Sequence, residues 1–105
     1  MAVIKATDNE FAQAIASRPH VIVKYSADWC GTCRLFAPKY GRMAEAPQYE
    51  HILFLDMDAE TNPVAREAAR VTTLPFFAVF KHGQLVGVLS VSQEDAVADL
   101  LTRFN

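Results

Sequence analysis

The stretch "SADWCGTCRLFAP", Ser26 to Pro38, holds both cysteines of this 105-residue chain, with a tryptophan before them and an arginine after them. Just upstream, "HVIVKYSA" (His20 to Ala27) is an apolar run with β-branched residues, which reads as a strand covered on both faces. Downstream, Cys33, Phe36, Ala37, Tyr40, Met43 and Ala44 recur at helical spacing and predict a helix from Cys30 to about Ala46. Pro38 lies inside that run, removes one helical hydrogen bond and predicts a kink. The two thiols therefore stand where a strand turns into a helix.

Working outward, "VIK" (Val3 to Lys5) reads as a short edge strand, and Thr7 with Glu10 as a capping box opening a helix that presents Phe11, Ala14 and Ile15. That helix should stop before Pro19. "HILFLDMD" (His51 to Asp58) is a second central-strand candidate. Asn62 is placed to cap a helix with Pro63 at its first position, carrying Val64, Ala65, Ala68 and Ala69. Phe76 to Phe80 reads as a strand, "KHGQ" as a turn with Gly83 free to take positive φ, and Leu85 to Val91 as the returning hairpin strand. Ser92 and Asp95 form a further capping pattern before a helix presenting Val97, Leu100, Leu101 and Phe104. The order is β-α-β-α-β-α-β-β-α in one domain, residues 1–105. Strands separated by helices call for right-handed crossovers and parallel pairing, and the late hairpin is antiparallel. The fold class is α/β: a central mixed β-sheet flanked by helices on both faces.

A domain of this length buries roughly two-thirds of the surface its unfolded chain exposes, so the cysteines are not needed as a staple. The net charge of −2, with no Lys/Arg cluster, argues against nucleic-acid binding. No apolar run reaches membrane-spanning length, and "MAVIKATDNEF" has neither a basic start nor a long apolar core, so the expectation is a cytoplasmic protein without membrane association. In that setting two cysteines are redox or metal groups before they are structural ones.

Cys30 at a helix amino end meets unpaired N–H groups and a partial positive charge, which favour thiolate over thiol. Cys33, one turn further in, is placed to resolve a mixed disulfide formed on Cys30. Two other uses of the pair stay open on residue type alone. One is a pair of inert core thiols, for which Gly31 and Thr32 are poor neighbours. The other is half of a zinc site, for which His20, His51 and His82 lack ligand spacing. Each histidine is expected at the surface, and no metal is expected.

With these residues in view the chain resembles the thioredoxin family along nearly all its length. The matching residues are "WCGTC" (Trp29 to Cys33), Pro38, "NP" (Asn62-Pro63), "LPFFAVFKHGQLVG" (Leu74 to Gly87) and the terminal helix. The resemblance implies the thioredoxin fold and thiol–disulfide oxidoreductase activity on protein disulfides, with Cys30 attacking and Cys33 resolving. It implies no cofactor beyond the redox-active Cys30–Cys33 disulfide, recharging by thioredoxin reductase or another dithiol donor, and a monomer. Pro75 would match the family's cis-proline, Leu74 would offer its backbone to substrate, and Trp29 would form surface beside Cys30 rather than core filler.

The chain departs from the family's pattern in four places. Gly31-Thr32 replaces the Gly-Pro of reductant members; Thr32 frees an N–H and adds a hydroxyl, both favouring the Cys30 thiolate and a more oxidising pair. Arg34 replaces a usual lysine and keeps the positive charge. Lys24 stands where the family keeps a buried aspartate, and Asp56 matches a position that holds lysine in some bacterial members. Lys24 and Asp56 thus read as a charge-reversed buried pair, in which a charged Lys24 favours the Cys33 thiolate and a neutral one acts as base, or Lys24 snorkels to the surface without a role. Finally, Phe76 replaces a usual threonine, and Ser90 or Val91 stands where the family places a groove glycine, which narrows the range of partners. The alternatives to a reductase are a disulfide oxidase or isomerase, favoured by Thr32, and a non-catalytic binding module.

Overall fold

The computed structural model describes residues 2–105. Its elements are β1 (Ile4–Lys5), α1 (Asp8–Ala16), β2 (His20–Ser26), α2 (Gly31–Glu45), β3 (Leu53–Asp58), α3 (Pro63–Ala68), β4 (Phe76–Lys81), β5 (Gln84–Leu89) and α4 (Glu94–Leu100). A 3-10 turn at Pro47–Tyr49 leads into β3, and another at Leu101–Phe104 ends the chain. The strands form one sheet in the order β1-β3-β2-β4-β5. β2 lies at its centre, and Val21 to Tyr25 are all buried, as a strand covered on both faces requires.

Strand alternation sorts the core into two layers. Val21, Val23, Tyr25, Leu55 and Met57 face α1 and α3, meeting Phe11 and Ala65. Ile22, Phe54, Phe77 and Val79 face α2 and α4, meeting Phe36, Tyr40, Val97 and Leu100. Lys24 shares the parity of Ile22 and so points to the α2 side.

The pairing corrects one expectation. β1, β3 and β2 are parallel, but β4 runs antiparallel to β2 although a helix precedes it. α3 has six residues, about 9 Å of helix, whereas β3 spans about 20 Å. A helix that short cannot carry the chain back along the sheet. β4 therefore enters at the end where β2 and β3 leave, with Phe76 opposite Tyr25.

Several boundaries also move. β2 stops at Ser26, β3 starts at Leu53, and β5 stops at Leu89. α4 starts from Gln93, which makes no side-chain cap, so the Ser92–Asp95 capping pattern does not form. Ala37 is exposed, and α2 runs on through Pro38, which is exposed beside it. The His82-Gly83 turn has φ of 52° and 80°, the left-handed pair that a two-residue hairpin needs.

Asn62 does not cap its own helix. Its Oδ1 accepts the Asp8 N–H at 2.7 Å, at the start of α1. In return the Asp8 carboxylate accepts the Val64 and Ala65 N–H groups, both at 2.9 Å, at the start of α3. The two helix heads thus exchange bonds, beside the local box at α1 in which the Thr7 N–H donates to Glu10 Oε1 at 2.9 Å.

Candidate active site: a disulfide on a helix amino end

Cys30 is the residue that caps α2. Its backbone is extended (φ −83°, ψ 101°), and its Sγ accepts the Cys33 N–H at 3.1 Å. Sulfur thus fills the place of a capping hydroxyl or carboxylate, receiving one of the helix's orphan donors. Cys30 and Cys33 are joined as a disulfide with their Cα atoms 5.3 Å apart. Both cysteines are buried, Cys30 at 5 % exposure and Cys33 at 2 %. Reduced, the Cys30 thiolate would meet the same donor and the same helix end.

Around the disulfide the loop from Ala27 is held at both sides. The Cys30 N–H donates to the Ala27 carbonyl at 3.1 Å, and the Arg34 guanidinium donates to the Asp28 carbonyl. Gly31 and Thr32 are exposed. Trp29 is 66 % exposed, so it is surface and not core filler. Its indole Nε1–H donates to Glu60 Oε1 at 2.9 Å, and the Glu60 N–H donates to the Asp58 carboxylate at 2.8 Å. Glu60 escaped the sequence reading. It lies in a charged run, 31 positions from Trp29, with no local signal to single it out.

The Leu74-Pro75 bond is cis, with Pro75 buried and Leu74 half-buried. Because Phe76 sits opposite Tyr25, Pro75 lies at the end of the sheet from which the Cys30 loop departs. β5 returns to that end, with Leu89 opposite Phe77, and leads out to Ser90 and the exposed Val91.

Beneath α2, Lys24 is only 3 % exposed, which overturns the snorkelling alternative. It sits in register with Asp56, and its Nζ lies 4.0 Å from Asp56 Oδ1 and 5.3 Å from the centre of the Tyr40 ring. The Ser26 hydroxyl donates to the same Asp56 oxygen at 3.0 Å. Burial pulls the Lys24 pKa below the usual lysine value, the Asp56 charge opposes that, and Lys5 adds to it. A cleft of about 490 Å³ joins Lys24, Asp56 and Ser26 to Cys33. Tyr40, read in the sequence only as part of the apolar face of α2, donates its hydroxyl to the Leu55 carbonyl at 2.8 Å and the Ile22 carbonyl at 3.3 Å. Burial first, and then the Asp56 charge, hold its pKa well above the ordinary phenol value.

Among the described residues no three His, Cys, Asp or Glu side chains gather as metal ligands. His51 and His82 are exposed, but His20 is half-buried, a correction to its expected surface position. Its ring stacks on Phe104 at 4.4 Å and meets His51 edge-on at 5.4 Å, because both histidines and the final turn converge at the far end of the sheet.

Comparison with known proteins agrees with this geometry. The Thioredoxin family model matches residues 2–103. The chain is 29 % identical to thioredoxin 1 of Plasmodium falciparum over 99 % of its own length and 98 % of that protein's. It is 31 % identical to the thioredoxin of Echinococcus granulosus, covering 95 % of this chain and 92 % of the other. The solved structure of Plasmodium falciparum thioredoxin superposes with a TM-score of 0.86 at 27 % identity, covering 100 % of both chains.

Proposed function

The chain belongs to the thioredoxin family and is a thiol–disulfide oxidoreductase, and from that premise we propose that it works in the reducing direction, on protein disulfides. Cys30 attacks the substrate disulfide and Cys33 releases it, leaving the Cys30–Cys33 disulfide as the only redox group required. The observation that carries the attacking role of Cys30 is the Cys33 N–H donated to its Sγ at the head of α2, which favours thiolate there; the reducing direction is supported by the likeness to thioredoxins along nearly the whole chain. Trp29, Leu74, Pro75 and Val91 frame the approach of substrate, and Gly31, Thr32, Lys24 and Asp56 support the dithiol. A reductase or another dithiol donor returns the pair to its reduced form, and the protein works as a cytoplasmic monomer in redox homeostasis and electron transport. Among the described residues no helix is long and apolar enough to cross a membrane.

A second reading, an oxidase or isomerase, draws on Thr32 and on the buried cation beneath the dithiol. The reduction potential, taken with turnover of a protein disulfide substrate, separates the two. The reducing reading expects turnover and a potential nearer about −270 mV than about −120 mV. A potential at the oxidising end of that range, with substrate thiols oxidised faster than disulfides are reduced, would establish the second reading instead.

A further inference from the structure

Lys24 is a residue whose burial the fold does not need. It occupies the middle of the central strand, where an apolar side chain would pack at no electrostatic cost. Its surroundings neutralise it only in part. From β3, Asp56 offers an oxygen at 4.0 Å, a long ion pair, and that oxygen also receives the Ser26 hydroxyl. From β1, Lys5 stands in register with Asp56 and adds positive charge. From β4, the register partner is Phe77, which carries none. From α2, Tyr40 offers the negative face of its ring, and its hydroxyl is engaged with two carbonyls. At the mouth of the cleft Arg34 is fastened to the Asp28 backbone, and Asp58 holds the Glu60 amide. Cys33 lines the same cleft, and the rest of the wall, Ala27, Ala37 and Asn62 among it, carries no charge.

We propose that Lys24 is a positioning residue that acts by charge: its buried ammonium holds the Cys33 sulfur as thiolate across the cleft, and Asp56 sets how strongly it does so. The inference rests on the oxidoreductase reading above. In the mixed disulfide, Cys30 Sγ is bonded to a substrate sulfur. Cys33 gives its proton to water in the cleft, and its sulfur forms the Cys30–Cys33 bond as the Cys30–substrate bond breaks. The electron pair leaves on the substrate sulfur, which takes a proton from solvent. Two electrons pass from the protein dithiol to the substrate disulfide, and Lys24 neither gains nor loses a proton. A carboxylate in this place would have to accept the Cys33 proton; an ammonium lowers the thiol's pKa without accepting anything.

The test is the pH dependence of Cys33 alkylation in the full chain carrying Cys30→Ser. Lys24→Met, which keeps the aliphatic stem, should raise the Cys33 pKa by about one unit, a tenfold loss of thiolate near neutrality. Lys24→Arg should restore it. Asp56→Asn, which removes the opposing charge, should move the Cys33 pKa down. In the two-cysteine protein, Lys24→Met should shift the thiol–disulfide equilibrium about tenfold toward the disulfide, roughly 30 mV more negative. Movement of Cys33 in one common direction by Lys24→Met and Asp56→Asn, or no movement in either, overturns the proposal, since a structural role gives no opposite signs. The alkylation readout needs no turnover. Failure of the reductase reading would instead appear as an unsubstituted protein that reduces no disulfide while its Cys33 titration still responds to Lys24.

Discussion

At the residue scale the proposed reading has the two sulfurs divide the work by their place on one helical turn. Cys30 meets the N–H of Cys33, while Cys33 lines the cleft. Cys30→Ser should therefore abolish disulfide reduction. Cys33→Ser should keep the attack and accumulate a covalent mixed disulfide, seen by mass spectrometry as an adduct that reductant removes. Trp29 offers a separate check. Its exposed indole is pinned by Glu60, so Glu60→Ala should change the emission of the only tryptophan and raise KM for a protein disulfide by about two- to five-fold with little change in kcat. An unchanged KM would mean that the pinned indole does not shape the substrate surface. The dithiol was legible because its two cysteines stand one helical turn apart at a strand-to-helix junction, whereas the cis Pro75 was legible only through the family resemblance. The partners of Glu60 and of the Tyr40 hydroxyl were not, because they are distant in sequence and only the folded sheet brings them together.

Elements were legible where a periodic pattern ran long, as in β2 and α2, and misread where length decided direction. Nothing in "NPVAREAAR" announces that α3 is too short to span the sheet, so the sense of β4 followed from distance and not from residue type. The reciprocal caps were hidden for a similar reason. Asn62 has the right side chain for its own helix, but the fold spends it on α1. Asp8→Ala removes two bonds from the head of α3 and should lower stability by about 1–2 kcal/mol, read from the urea midpoint. At the hairpin, Gly83 has φ 80°, so Gly83→Ala should cost about 1 kcal/mol by the same measurement. A midpoint unmoved by Asp8→Ala would show that water caps α3 as well as the carboxylate does.

For the molecule as a whole, the two core layers leave the dithiol at one end of the sheet and the histidines at the other. Burial first, and then the charges of His51, Lys81 and His82, hold the His20 pKa below its ordinary value. The unfolded chain therefore takes up this proton more readily than the folded one. Above the unfolded value, near about 6.5, both states are neutral and the group has no effect. As pH falls through that value toward the folded pKa, protonation favours the unfolded state, and stability drops. The urea midpoint should fall between about pH 7 and about pH 5, and His20→Phe should make that fall smaller. An identical pH dependence in the variant would remove His20 from the account.

The exchanged caps carry a last consequence, for the order in which the chain is finished. The Asp8 amide waits for a side chain 54 positions ahead, and the Ala65 amide for one 57 positions behind. During synthesis, then, the Thr7–Glu10 box can close at once, but the Asp8 amide lacks its native partner until Asn62 has left the ribosome. The opening of the two helix heads should also be one event. The Asp8, Val64 and Ala65 amides are expected to exchange hydrogen at a common rate, and Asn62→Ala should speed all three together.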